Sequence, residues 1–170
     1  KHSLLYKHRL VSPGGPFTAV GLMNGEEFFK YDSTSGNISL KNNWIMEVEP
    51  ANSSFWERET SNLQDEHEWF KHQLPVLVSV HQGNNSLVRK YGCELNDNNN
   101  QSHIYDHFLL NGEHIFSLDL KTTSWKSTKD HETGIKDWNP GNKHAGYWLQ
   151  FLEETCCERL KRYLEHFIST

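Results

Sequence analysis

His144 to Phe167, which reads HAGYWLQFLEETCCERLKRYLEHF, carries apolar side chains at steps of three and four along the chain. This is the period of an amphipathic α-helix, so we predict one long helix from about His144 to Phe167. The tripeptide Asn139-Pro140-Gly141 breaks the pattern upstream and separates this helix from a short one predicted at His131–Trp138. The predicted apolar face comprises Trp148, Leu149, Leu152, Cys156, Leu160, Tyr163, Leu164 and Phe167.

A second helix is predicted in the first half of the chain. Ser53 or Ser54 is a suitable N-cap residue, and Pro75 is expected to kink or end the helix one turn later. Apolar residues at steps of seven, seven, four and three place one face on Trp56, Leu63, Phe70, Leu74 and Leu77.

Strands precede the helix in each half. The dipeptides Asn24-Gly25 and Asn111-Gly112 are strong signals for tight β-hairpins. In the first half we predict strands at Leu4–Val11, Phe17–Leu22 and Glu27–Tyr31, with a short strand around Trp44–Val48. In the second half we predict strands at Leu87–Leu95, Ile104–Leu110 and His114–Leu120, and a polar stretch from Trp125. Strands followed by helices indicate an α+β fold, in which two helices lie side by side across one antiparallel sheet.

Composition excludes several classes of function. The 170 residues carry a net charge of −5 and no Lys/Arg-rich run, which argues against binding nucleic acid through its phosphates. No nucleophile elbow, phosphate loop or zinc-protease motif is present, so we do not expect an enzyme. His103 and His107 could share a strand face near Asp106 and His114, but a metal site needs three or four converging ligands. We therefore predict no metal and no cofactor.

Glycosylation motifs and cysteines indicate an extracellular protein, either secreted or at the cell surface. Cys93, Cys156 and Cys157 are an odd set, so Cys93 can pair with one of the other two in an oxidising compartment. Such a bridge closes a loop of about sixty residues, worth about 4 kcal/mol in the chain-entropy model. Asn-X-Ser motifs predict N-glycosylation at Asn37, Asn52, Asn84 and Asn100.

The chain closely resembles the two platform domains of MHC class I heavy chains. The second half does so at Lys90–Leu95, Asn111–Glu113, Ser124-Trp125 and Thr155–Glu165, and the first half at His2–Tyr6, Phe28–Asp32 and Phe55–Thr60. The resemblance implies an eight-stranded antiparallel sheet with two long helices across one face. It divides the chain into an alpha 1-like half (1–82) and an alpha 2-like half (83–170), without an immunoglobulin-like domain in this chain. It also implies that Cys93 pairs with Cys156.

Groove positions follow from the same resemblance. Peptide-presenting members hold the peptide amino terminus with four tyrosines; Tyr6 and Tyr163 match two of them, and Phe55 and Phe151 stand at the other two. Loss of two hydroxyls removes hydrogen-bond partners for a charged terminus.

The opposite end of the groove departs further from the family pattern. Trp138 is kept, but Asp137 stands where peptide-presenting members have a lysine, and Val76 falls near an expected tyrosine. An anion beside a peptide carboxylate is repulsive, so we expect conventional capture of that terminus to fail.

These observations predict a class I-like glycoprotein that acts as a ligand for an immune-cell receptor, with β2-microglobulin as a further partner. Antigen presentation, of an atypically held peptide or of a lipid, is one alternative. A soluble carrier or transport receptor for a serum protein is another, because the sequence is similar in places to the neonatal Fc receptor and zinc-alpha-2-glycoprotein. Charged outer helix positions are the candidates for receptor contact: Glu57, Arg58, Glu66, Lys71, Glu153, Arg159 and Lys161.

Overall fold

The computed structural model describes residues 1–78, 83–98, 101–128 and 135–169. The strands are β1 (His2–Ser12), β2 (Phe17–Met23), β3 (Glu26–Asp32), β4 (Asn37–Leu40), β5 (Asn85–Leu95), β6 (Ser102–Leu110), β7 (Glu113–Asp119) and β8 (Ser124–Ser127). They form one sheet in the order β4-β3-β2-β1-β5-β6-β7-β8, and every neighbouring pair is antiparallel. The predicted eight-stranded antiparallel sheet is confirmed.

Two hairpins of the sheet are built on the predicted Asn-Gly turns. Asn24 and Gly25 have φ angles of 51° and 83°, and Asn111 and Gly112 have φ angles of 51° and 86°. Two successive residues with positive φ match the right-handed twist of the flanking strands, and asparagine and glycine tolerate this backbone best. These turns connect β2 to β3 and β6 to β7.

The helices are α1 (Asn43–Val48), α2 (Ser54–Leu77), α3 (Ala145–Gln150) and α4 (Cys157–Ser169), and a π-helical segment (Phe151–Cys156) joins α3 to α4. We call residues 145–169 the second long helix. Ser53 and His144 are the N-cap residues, and α2 ends two residues after Pro75. Both predicted long helices are therefore present.

Two local predictions are wrong. Trp44–Val48 lies in helix α1 and not in a strand, because Trp44, Ile45 and Val48 share one helical face and pack into the core. Residues 124–127 form the edge strand β8, where Trp125 packs 5.5 Å from Phe108 between ring centroids. Four residues are too few to show the alternation by which longer strands are recognised. Residues 131–134 of the helix predicted at His131–Trp138 lie outside the described residues.

The core lies between one face of the sheet and the helices. Alternate residues of each strand point toward the helices, as at Leu4, Tyr6 and Leu10 of β1. Cys93 of β5 and Cys156 of the second long helix are both fully buried and form a disulfide. This bond ties the helix to the sheet below it.

Candidate functional site: the groove between the helices

Side chains nearly fill the groove between α2 and the second long helix. The cavity that remains there has a volume of about 50 Å³. A buried water takes roughly 10–15 Å³ of such volume, and pockets for drug-sized ligands start at roughly 300 Å³. This cavity, which is lined by described residues, therefore has space for a few water molecules but not for a peptide. Its lining includes Tyr6, His8, Glu66, Tyr91, Trp148 and Arg159.

Arg89 of β5 lies fully buried in the floor of the groove. Its Nε and Nη2 donate to the two carboxylate oxygens of Asp106 on β6, over 2.9 and 2.6 Å. Its Nη1 donates to Oε1 of Glu66 on α2, over 2.7 Å. The planar guanidinium fork carries five N–H donors, so one arginine can hold both carboxylates. Arg89 thereby fastens α2 to the floor.

His8 of β1 extends this network to a neighbouring strand. Its Nδ1 lies 3.2 Å from Oε1 of Glu66, and its Nε2 lies 3.1 Å from the hydroxyl of Tyr91. An ionised carboxylate only accepts hydrogen bonds, so Nδ1 carries the proton and Nε2 accepts from Tyr91. Burial lowers the pKa of His8, although Glu66 opposes the shift. The imidazole is therefore neutral at pH 7.

The charges of this network do not cancel. Burial would raise the pKa of Glu66, but Arg89 and His8 outweigh it and bring that pKa down to about 2. Burial raises the pKa of Asp106 to about 6, with Arg89 acting in the opposite direction. Two carboxylates share one guanidinium, so the titrations of Glu66 and Asp106 are coupled.

Arg89 also stacks against aromatic rings from the floor and the opposite wall. Its guanidinium carbon lies 4.2 Å from the ring centroid of Tyr91 and 3.9 Å from that of Trp148 on α3. Such cation–π contacts are strongest where water is excluded. The indole Nε1 of Trp148 donates to the carbonyl oxygen of Pro140 over 2.9 Å, which fixes its ring. Protein side chains from both walls therefore meet in the middle of the groove.

A second arginine, Arg159 of α4, fills the groove beside Tyr6. Its Nη1 donates to the hydroxyl of Tyr6 over 3.1 Å and to Oε1 of Glu59 on α2 over 3.2 Å. The guanidinium carbon lies 5.0 Å from the ring centroid of Phe55 and 5.4 Å from that of Phe151. The side chain is 12% exposed. Arg159 therefore connects the two long helices directly across the groove.

Two residues predicted on the solvated outer face of the helices lie inside instead. Glu66 is 3% exposed, because it stands three residues after Leu63 and four before Phe70 on the buried face of α2. Arg159 stands three residues after the buried Cys156, so it likewise lies on the buried face of its own helix. The predictions for Glu66 and Arg159 as outward receptor contacts are wrong.

Comparison with known proteins identifies the family to which this chain belongs. The family model for class I histocompatibility antigen, domains alpha 1 and 2, matches residues 1–169. This chain belongs to the MHC class I family. It is 28% identical to the K-D alpha chain of the H-2 class I histocompatibility antigen of Mus musculus, over 96% of this chain and 46% of that protein. It is 24% identical to the F10 alpha chain of the class I histocompatibility antigen of Gallus gallus, over 97% of this chain and 49% of that protein.

The chain thus spans about half the length of the MHC class I relatives it matches. Membership of this family makes the chain an immune-related class I-like protein. Proteins of the MHC class I family are not enzymes, and the class I relatives are extracellular or cell-surface proteins. Within the described residues, none of the helices combines the length and apolar composition needed to cross a bilayer.

Three of the four family-matched positions at the amino end of the groove surround Arg159. Tyr6 accepts a hydrogen bond from its guanidinium, and the rings of Phe55 and Phe151 lie beside it. Tyr163 is fully buried, and its hydroxyl donates to Oε2 of Glu49 over 2.9 Å.

At the other end of the class I groove, the family-matched positions are dispersed. Trp138 is buried, with ring centroids 4.3 Å from Phe116 and 4.7 Å from Trp69. Asp137 is exposed and has a φ of 61°. Val76 is 65% exposed on the last turn of α2. Trp138 therefore packs in the core, whereas Asp137 and Val76 face solvent.

The remaining predicted surface residues are accessible. The exposed charged positions on the helices are Glu57, Arg58, Lys71, Glu153 and Lys161. The asparagines of three glycosylation motifs, Asn37, Asn52 and Asn84, are also exposed, and Asn100 lies outside the described residues. Cys157 is half-buried and is not part of the disulfide, and burial raises the pKa of its thiol.

His103 and His107 share the sheet face that points away from the helices. Tyr105 lies between them, with ring centroids 6.1 and 5.5 Å away, and Asp106 points to the opposite face. The ring of His114 lies 5.3 Å from that of His107. In the described ranges, no group of three or more His, Cys, Asp or Glu could hold a metal ion.

The groove-filling residues His8, Arg89 and Glu59 are not among the site residues predicted from the sequence. A signal for the first two was present in the alternation of their strands. His8 falls between Tyr6 and Leu10 at inward positions of β1, and Arg89 falls in the same way in β5. A polar or charged residue at an inward position predicts a buried partner.

Proposed function

We propose that this chain is the platform of a class I-like glycoprotein that an immune-cell receptor recognises through the exposed surface of the two long helices. No conventional peptide occupies the groove in this proposal. The supporting observation is that Arg89 and Arg159 fill the groove with protein side chains and leave a cavity of about 50 Å³. Asp137 adds an electrostatic reason, since an anion at that end disfavours a peptide carboxylate.

β2-microglobulin is the proposed partner under the sheet. The face that points away from the helices carries half-buried apolar side chains, including Leu5, Val20, Leu22 and Val88. A second protein packed on this face would bury them. Co-expression with and without β2-microglobulin tests this point, and secretion of folded chain at equal yield without it would contradict the partnership.

Peptide or lipid presentation is the rival that a direct experiment separates from this proposal. The protein is expressed in secreting cells, purified without added ligand and acid-eluted, and the eluate is analysed by mass spectrometry. We expect no enriched peptide or lipid relative to a mock purification. A homogeneous set of short peptides, or a stoichiometric lipid, would overturn the proposal.

The receptor surface is tested by charge reversal. Fluorescent multimers of the protein are used to stain blood leukocytes, and Glu153→Lys with Lys161→Glu is compared with the natural sequence. We expect staining of a cell subset that falls about tenfold or more in the double variant. Lys121→Glu, an exposed change in the turn after β7, is the matched control and should stain normally. Staining by the double variant at the level of the natural sequence would exclude Glu153 and Lys161 as receptor contacts and would count against the proposed surface.

A further inference from the structure

An open depression of about 260 Å³ lies on the sheet face that points away from the helices. It spans β6, β7 and β8, and its lining includes four polar residues that we call the lower pocket: His107, His114, Ser117 and Lys126. Ser117 stands directly opposite His107 on one side and Lys126 on the other, so these three residues form one row across three strands. Adjacent strands are about 4.8 Å apart, which places the backbones of His107 and Lys126 about 10 Å from each other. Nitrogen donors therefore stand on both sides of a hydroxyl group.

Every side chain of the lower pocket can donate a hydrogen bond. Lys126 carries an ammonium group, Ser117 carries a hydroxyl, and a protonated imidazole carries two N–H donors. The ring of His114 lies 5.3 Å from that of His107, so the two imidazoles stand together. Nδ1 of His107 is buried and has no hydrogen-bond partner within the described residues, although buried polar atoms are normally paired. The lower pocket therefore suits a ligand that accepts several hydrogen bonds.

Positive charge surrounds His107 on this face of the sheet. Lys90 on β5 stands directly opposite it, and His103 lies four residues before it on the same strand. Burial lowers the pKa of His107, and His114, His103 and Lys90 lower it further. Tyr105, which lies between the two histidines of β6, stays neutral because burial raises its pKa to about 12. A bound anion would oppose these effects and favour the imidazolium form of His107.

Two carboxylates on neighbouring positions of this face are engaged elsewhere. Oε1 of Glu94 on β5 lies 3.2 Å from the ammonium group of Lys1. Oδ1 of Asp119 on β7 accepts from two backbone N–H groups in the turn after the strand, over 2.9 and 3.3 Å. These hydrogen bonds lower the pKa of Asp119, with a smaller contribution from Lys126. Within the described ranges, no carboxylate forms an ion pair with either histidine of the lower pocket or with Lys126.

We propose that the lower pocket is a binding site for an oxyanion, either a carboxylate or a sulfate-like group, held between the two imidazoles and the ammonium group of Lys126. Hydrogen bonds from charged donors to an anion are about twice as strong as bonds between neutral groups. The ligand binds best when His107 is protonated, so its affinity rises as the pH falls. This inference goes beyond the proposed function, because it involves neither the receptor surface nor the contents of the groove.

Titration of the purified secreted protein with sodium sulfate, followed by NMR, tests the site, because sulfate keeps its charge between pH 7.5 and pH 5.5. We expect sulfate to shift the ring signals of His107 and His114 and the amide signal of Ser117. It should bind about tenfold more tightly at pH 5.5 than at pH 7.5. Sodium chloride at equal ionic strength controls for screening. Identical shifts with both salts, or equal affinity at the two pH values, would overturn the proposal.

Sodium acetate in a parallel titration distinguishes the two kinds of oxyanion. Tighter binding of acetate than of sulfate would identify the ligand group as a carboxylate, and tighter binding of sulfate would identify it as sulfate-like. Shifts in the lower pocket with neither anion would refute the site. Such a failure would leave the receptor proposal standing, and failure of receptor staining would leave the lower pocket standing.

Three variants place the anion within the fold. Lys126→Gln should weaken sulfate binding about tenfold at both pH values, and His107→Gln should remove most of the pH dependence. Lys30→Gln is the matched control, since it neutralises an exposed lysine of β3 on the same sheet face, and it should bind sulfate as the natural protein does. Sulfate binding that Lys126→Gln leaves unchanged would place the anion elsewhere and contradict the assignment.

Discussion

Glu66 of helix α2 and Arg89 of strand β5 form an ion pair of 2.7 Å in which both side chains are buried. Burial of charges is costly unless their partners and hydrogen bonds are complete, and here Arg89 also holds Asp106 on its other edge. Removal of one member leaves an uncompensated charge in the interior. The pair therefore ties α2 to the sheet, and each of its two buried charges depends on the other.

Glu66→Gln tests this dependence through pH. The folded-state pKa of Glu66, at about 2, lies below its ordinary value of 4.5, so its ionisation stabilises the fold above pH 4.5. That contribution is lost as the pH falls from about 4.5 toward 2. We expect Glu66→Gln to lower the free energy of unfolding by about 3–5 kcal/mol at pH 7 and by less at lower pH.

Urea unfolding from pH 7 down to the lowest pH at which both proteins fold measures this difference. Glu57→Gln changes an exposed carboxylate on the same helix and should differ from the natural protein by less than about 0.5 kcal/mol throughout. A Glu66→Gln difference that stays constant across the whole pH range would show that the ionisation of Glu66 does not stabilise the fold.

The disulfide gives a second prediction. Cys93 and Cys156 are 63 residues apart, and the chain-entropy model assigns such a bridge about 4 kcal/mol. We expect Cys93→Ser with Cys156→Ser to lose about this much stability, measured by thermal or urea unfolding. Cys157→Ser keeps a donor for the carbonyl oxygen of Leu152 and should change stability by less than about 0.5 kcal/mol. A comparable loss in Cys157→Ser would contradict this division of roles.

The fold was largely predictable because its strongest signals are local. Asn-Gly turns require positive φ at both positions, and a 24-residue amphipathic pattern has few alternatives to a helix. The predictions for the short segments were wrong for the opposite reason. Trp44–Val48 is too brief for its apolar pattern to separate helix from strand, and packing against α4 decides the outcome.

The contents of the groove were less predictable because they depend on pairs distant in sequence. Glu66 and Arg89 are 23 residues apart, His8 and Tyr91 are 83 apart, and Tyr6 and Arg159 are 153 apart. Helical spacing alone places Glu66 and Arg159 at the buried face. Both were nevertheless predicted on the outer surface, because charged helix residues usually face water.

Glycosylation is a third prediction. The exposed asparagines Asn37, Asn52 and Asn84 lie in Asn-X-Ser motifs, so each is accessible to a glycan. We expect protein secreted from mammalian cells to lose mass on treatment with an N-glycosidase, and each single Asn→Gln variant to lose one glycan. Intact mass spectrometry measures the number of glycans. An unchanged mass for all three variants would contradict the assignment.

Trp138 and its neighbour Asp137 provide the last prediction. Trp138 is 3% exposed and makes edge contacts with the rings of Trp69, Phe108 and Phe116. We expect Trp138→Ala to destabilise the protein by about 3–5 kcal/mol, because it leaves a cavity in this aromatic cluster. Asp137→Asn keeps a residue that tolerates positive φ and should change stability by less than about 0.5 kcal/mol. Thermal unfolding compares the two variants, and similar losses in both would mean that Asp137 also supports the fold and that its charge is not free to act on a ligand.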